Sequence, residues 1–93
     1  MVSEVETVSR ALGVGKEELV RRGVRAYLEM ELRRVNSELL GLCSKYGVKS
    51  LREMDEKISK GKLSETETFD DFTKLDYLES LRDKIEKLSG ELS

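Results

Sequence analysis

A chain of 93 residues with one cysteine (Cys43), no histidine and no proline is bounded before any pattern is read. It is long enough for one domain, residues 1–93, but one thiol excludes an internal disulfide and a zinc cage. The missing imidazole excludes Ser-His-Asp and Cys-His catalysis within one chain. Charged residues make up 39% of the sequence while the net charge is only -2, so the surface carries both signs and excludes wholesale attraction to nucleic acid or anionic lipid.

A domain this small buries a modest share of its surface and needs tight helix packing or a second copy of itself. A homodimer is therefore expected. No apolar run approaches the roughly 20 residues that cross a bilayer, and the start Met1-Val2-Ser3-Glu4 lacks the basic and apolar blocks of a signal peptide; a cytoplasmic protein without a membrane partner is the expectation. Glutamine is absent and Asn36 is the one asparagine, against abundant Glu, Lys and Arg. That is the bias of thermophile proteins.

Leu, Glu, Lys and Arg dominate and aromatics are scarce, which favours helix over strand. The first predicted helix, 3–13, opens with Ser3 and Glu6 in capping-box spacing, repeats Val5, Val8 and Leu12, and stops at Gly13 with Val14 folding back. The second, 16–46, carries Glu17 and Glu18 in its first turn, where the helix dipole favours them. Its positions Leu28, Leu32, Val35, Leu39, Leu42 and Tyr46 alternate four and three apart, the seam of a coiled coil. Val20 and Val24 extend that face with a slight drift. Gly23 and Gly41 each weaken this helix by about 1 kcal/mol relative to alanine, and both are read as marks of close helix contact. Gly47 and Val48 repeat the stop signal.

The third predicted helix, 50–60, has Ser50 and Glu53 as a capping box, an apolar stripe of Leu51, Met54 and Ile58, and Gly61 as its stop. The fourth, 64–91, opens at Ser64 with Glu67 three residues on and runs through Phe69, Phe72, Leu75, Leu78, Leu81, Ile85 and Leu88. The expected fold is thus all-α: four helices in a coiled-coil-like bundle, with the long central helix antiparallel to the C-terminal one and the third as the bridge. The six seam positions serve as core or as a dimer contact.

The candidate sites follow from what remains exposed. Cys43 lies beside Leu42 on an apolar face and reads as a buried small hydrophobe. Gly13-Val14-Gly15-Lys16 lacks phosphate-loop spacing. The acids Glu65, Glu67, Asp70 and Asp71 do not match a calcium loop; they favour the amino end of the fourth helix and, with Phe69 and Phe72, offer a surface to a basic protein. Arg21, Arg22 and Arg25 share a helix face and are candidates for phosphate contact, although Glu17–Arg21 and Glu18–Arg22 pairs consume part of that charge. Tyr27, Tyr46, Tyr77, Phe69 and Phe72 fall at apolar helical positions and read as core or interface. No catalytic residue, metal or cofactor is expected.

The stretch from Val8-Ser9-Arg10-Ala11-Leu12-Gly13-Val14 through Lys16-Glu17-Glu18-Leu19 to Arg25-Ala26-Tyr27-Leu28-Glu29 resembles the two-helix half of ribbon-helix-helix proteins, including VapB-type antitoxins. The resemblance covers about a quarter of the chain, and the strand that reads the major groove in those proteins is missing ahead of the first helix. What it implies is a helical dimerisation part followed by an acidic amphipathic tail, Glu65 to Leu92, that wraps a basic toxin. The function expected is a non-catalytic protein–protein interaction module of that antitoxin-like kind. The alternative is a DNA-binding regulator with a helix-turn-helix-like element in residues 3–30, its Arg21, Arg22 and Arg25 on phosphates.

Overall fold

The computed structural model describes residues 2–92. Its elements are α1 (Val2–Leu12), α2 (Lys16–Tyr46), α3 (Leu51–Ser59) and α4 (Glu65–Leu92). None of these helices is long and apolar enough to cross a membrane.

Two turns share one mechanism. Gly13 and Gly47 take φ of 66° and 63°, a left-handed conformation that costs other residues steric strain. The following residue then folds back: Val14 N–H donates to Ser9 O at 3.0 Å and Val48 N–H to Cys43 O at 2.9 Å. These bonds satisfy carbonyls that the helix end would orphan. Val48 is buried in the core, so its fold-back anchors the corner that aims α3. At the start of α3, Ser50 Oγ accepts the Glu53 N–H at 3.1 Å, and a carboxylate from α4, Glu79, accepts the Leu51 N–H at 2.8 Å. Ser64 Oγ accepts the Glu67 N–H at 3.2 Å at the start of α4. The side chain of Ser3, expected as a cap, lies outside the described residues, and Glu6 pairs with Lys16 Nζ at 3.0 Å, tying α1 to α2.

α4 returns antiparallel along α2. Arg25 meets Leu92 at one end of the pair and Lys45 meets Asp71 at the other. Between these ends Val35, Leu39 and Cys43 of α2 pack with Leu75, Leu78 and Ile85 of α4, joined by Val48 and by Met54 of α3. Leu28, Leu32, Leu42, Tyr46, Phe72 and Leu81 are half-buried against this cluster. Thr68 is the one buried polar residue among those described, and its hydroxyl donates to Ser64 O at 2.7 Å, which spares the cost of an unpaired buried group.

Three expectations are corrected here. The fold is an all-α bundle, but not of four discrete helices. α2 and α3 are joined: Lys57 Nζ reaches back to Tyr46 O at 3.3 Å and Gly47 O at 3.0 Å, fastening α3 to the carbonyl end of α2. The bundle therefore has three members, α1, the α2–α3 unit and α4, and its main packing is α2 on α4. The ribbon-helix-helix resemblance fails because the described residues contain no β-strand, so the DNA-reading ribbon is absent. Gly23 and Gly41 mark no close contact, since a Cβ at either would meet nothing within 4 Å.

The outcome is a rod of 60 × 22 × 17 Å. Its radius of gyration is 19.0 Å, against about 12 Å for a compact chain of this length. Its accessible surface of 7064 Å² exceeds by roughly 1,600 Å² what a compact monomer of this mass exposes. Among the described residues every buried one lies between Val35 and Ile85, and none of residues 4–34 is buried.

Met54 has 0% exposure where all three core helices meet. Met54→Ala is expected to cost about 2–5 kcal/mol, read as a lowered urea midpoint at unchanged slope; a loss under about 0.5 kcal/mol would show that this junction is loosely packed.

Candidate interaction surfaces

The predicted seam is occupied within the chain. Val35 and Leu39 are buried, and Leu28, Leu32, Leu42 and Tyr46 are half-buried against the cluster that α4 completes. Leu40 and Tyr77 are exposed along the middle of the rod, and further apolar side chains stay open at its two ends.

At the first end, α2 runs on past the last turn of α4. Arg25 Nη2 donates to Leu92 O at 2.9 Å. α4 has no basic residue in its own last turn, so a cation borrowed from α2 balances the negative end of its dipole. N-terminal to this contact, α2 has only α1 for company. Val5, Val14 and Leu19 are half-buried there, whereas Leu12 is 70% exposed and Val8, Val20 and Val24 lie between 40% and 49%. Leu88 and Leu92 of α4 are also exposed. Two shallow clefts flank the Arg25–Leu92 contact, one of about 260 Å³ reaching Leu28 and Ser89 and one of about 180 Å³ reaching Arg21 and Val24.

The three arginines proposed for phosphate contact have different fates. Arg22 pairs with Glu18 at 2.7 Å and Arg25 holds the end of α4. Arg21 lines the smaller cleft, and the expected Glu17–Arg21 pair does not form among the described residues. The face is partly spent on structure.

At the opposite end, the acidic group is split by the helical step. Asp71 turns toward α2, where Lys45 Nζ donates to it at 2.8 Å and the Tyr46 hydroxyl also donates to it. Phe72 is half-buried against the core. Glu65, Glu67 and Asp70 face water, and Phe69 is 63% exposed. A notch of about 140 Å³ lies between α3 and α4, floored by Ile58 and Phe72 and bordered by Phe69, Asp55 and Glu65. Tyr27, Phe69 and Tyr77 are exposed, so none of these three belongs to the intrachain core that their spacing suggested. Asp55 was not singled out from sequence, because only the α2–α3 corner brings it to α4.

The other reactive groups serve the packing. Burial pushes the Cys43 thiol up, reinforced by the nearby carboxylates of Glu79 and Glu53. Hydrogen bonds, first from Lys45 and then from Tyr46, hold the Asp71 carboxyl below the usual carboxylate range. The same bonds raise Lys45 and Tyr46. Among the described residues no three His, Cys, Asp or Glu side chains gather where they could hold a metal ion.

Fold and surfaces together define a small all-α bundle with open apolar ends. The chain belongs to the Uncharacterized protein MJ0235 family, whose pattern it matches over residues 1–93. It is similar to Uncharacterized protein MJ0235 of Methanocaldococcus jannaschii, 29% identical over 77 residues that cover 83% of this chain and 94% of that protein. No solved structure matches the chain.

Two outcomes are expected. A carboxyl with a depressed native pKa adds stability that is full above its unfolded value of about 3.9 and is lost as pH falls through the native value. Asp71→Asn should therefore lower the urea midpoint at neutral pH and flatten its decline below about pH 4; an unchanged acid slope would remove Asp71 from that role. Cys43 should react with an aromatic disulfide at neutral pH at least about 100-fold more slowly in the native than in the urea-unfolded chain, and equal rates would contradict its burial.

Proposed function

We propose that this protein is a non-catalytic protein–protein interaction module, working as a homodimer that presents the acidic end of each α4 to a basic protein. One observation carries this reading: large apolar side chains stay in water at both ends of a rod whose core lies between them. Exposed apolar surface of that kind is what binding sites retain. Three groups that a catalyst could draw on are otherwise engaged, Asp71 in a helix–helix tether, Glu79 in capping α3 and Cys43 in the core.

The Phe69 notch suits a cationic partner. An aromatic face attracts a lysine or arginine head, Asp55 and Glu65 stand at its rim, and Ile58 and Phe72 accept the aliphatic stem of such a side chain. Neutral or acidic surfaces are disfavoured there by desolvation of the carboxylates.

Affinity capture from cells of the native host, read by mass spectrometry, tests the reading. The tagged wild type is expected to retain a basic protein that Phe69→Ala and Glu65→Lys recover at least about 10-fold less well. Equal recovery by all three, or retention of no basic protein, would count against a partner at this end.

A further inference from the structure

We infer that the arm built from α1 and the first turns of α2 is the surface through which two copies of this chain pair, back to back across a two-fold axis. The inference rests on the homodimer reading above and deepens it by assigning the interface. Of the two roles the sequence left to the central seam, core or dimer contact, α4 already takes the first, so the interface is sought elsewhere.

The area agrees with a second copy as the occupant. The chain exposes roughly 1,600 Å² more than a compact monomer of its mass. A standard stable interface removes about 800 Å² per partner, so one self-contact accounts for a large part of that excess without help from another protein. The location follows from the burial pattern. Residues 4–34 supply no buried side chain, yet Val8, Leu12, Val20 and Val24 stand exposed on them, and Val24 shares a cleft with Leu92 of α4.

The arm is also complementary to itself, which an isologous contact requires. It offers a knob, Leu12 at 70% exposure, and two hollows beside the Arg25–Leu92 contact. A two-fold axis places the Leu12 of each copy at the hollows of the other. Part of the nearby charge is settled within the chain, Arg22 on Glu18, Lys16 on Glu6 and Arg25 on a carbonyl, while Arg21 lines the smaller hollow and Glu29 the larger. The competing apolar sites suit self-pairing less. Leu40 and Tyr77 stand apart from this arm, and the Phe69 notch is rimmed by carboxylates that would face their own copies across an axis, a like-charge opposition that disfavours association.

Sedimentation equilibrium on the full chain tests this with Val24→Glu, Leu12→Glu and a distant control, Leu40→Glu. All three positions are exposed in the single chain, so helical circular dichroism should persist in each. The wild type is expected at twice the 10.6 kDa chain mass. The arm variants should dissociate about 100-fold more readily, while Leu40→Glu stays dimeric. Hydrogen exchange of the wild type, which needs no variant, should show amides of residues 16–30 losing protection on dilution below the dissociation constant. A wild type of single-chain mass would overturn the homodimer and with it this assignment. A dimeric wild type whose arm variants stay dimeric, or whose exchange in 16–30 ignores dilution, would overturn the assignment and leave the homodimer standing.

Discussion

The apolar seam between α2 and α4 is the contact on which the remaining features depend. Val35, Leu39 and Cys43 face Leu75, Leu78 and Ile85 across it, and α3 closes it through Met54. Removing a side chain such as Val or Leu from water yields about 1.5–3 kcal/mol, far more than the exposed ion pairs that border it, such as Lys74–Glu38 at 3.8 Å, can add. The seam also fixes the register of α4. The Arg25–Leu92 bond at one end and the Lys45–Asp71 bond at the other mark where intrachain cover begins and stops.

That register has a consequence for the ends. α2 is 31 residues long, about 46 Å at the helical rise, and its first turns extend beyond the reach of α4. α1 folds back on them through the Gly13 turn but, at 11 residues, is too short to bury them. The molecule thus keeps its buried cluster between two apolar ends of different character, one flanked in part by ion pairs and the other by carboxylates that face water. The occupants proposed for them differ accordingly: a twin at the first end, a basic surface at the second.

Much of this was legible before any coordinate. The absence of proline, the Leu- and Glu-rich composition and the glycine stops pointed to helices, and the four-and-three spacing from Leu28 to Tyr46 marked the strip that the core uses. The occupant of that strip was not legible, because an apolar stripe looks the same whether an intrachain helix or a second copy covers it. Nor was the joining of α3 to α2, which depends on Lys57 reaching carbonyls that close the preceding helix. Asp70 and Asp71 are equivalent in the sequence, yet a rotation of about 100° between neighbours sends one to water and the other to Lys45 and Tyr46. Whether Phe69 and Tyr77 belonged to core or to interface was left open for a related reason. They sit at the margin of the α4 stripe, and helical spacing alone does not say how wide a stripe its neighbour covers. The Arg25 clamp spans 67 positions; its one trace in the sequence was the missing cation in the last turn of α4.

The central proposal is that a second copy of this chain covers the arm. The most direct measurement is the thermal midpoint as a function of protein concentration, since binding of the native state to itself couples association to stability. The account predicts a midpoint that rises steadily with concentration through the micromolar range. A sharp transition at the same temperature at every concentration, from a species of single-chain mass, would contradict it.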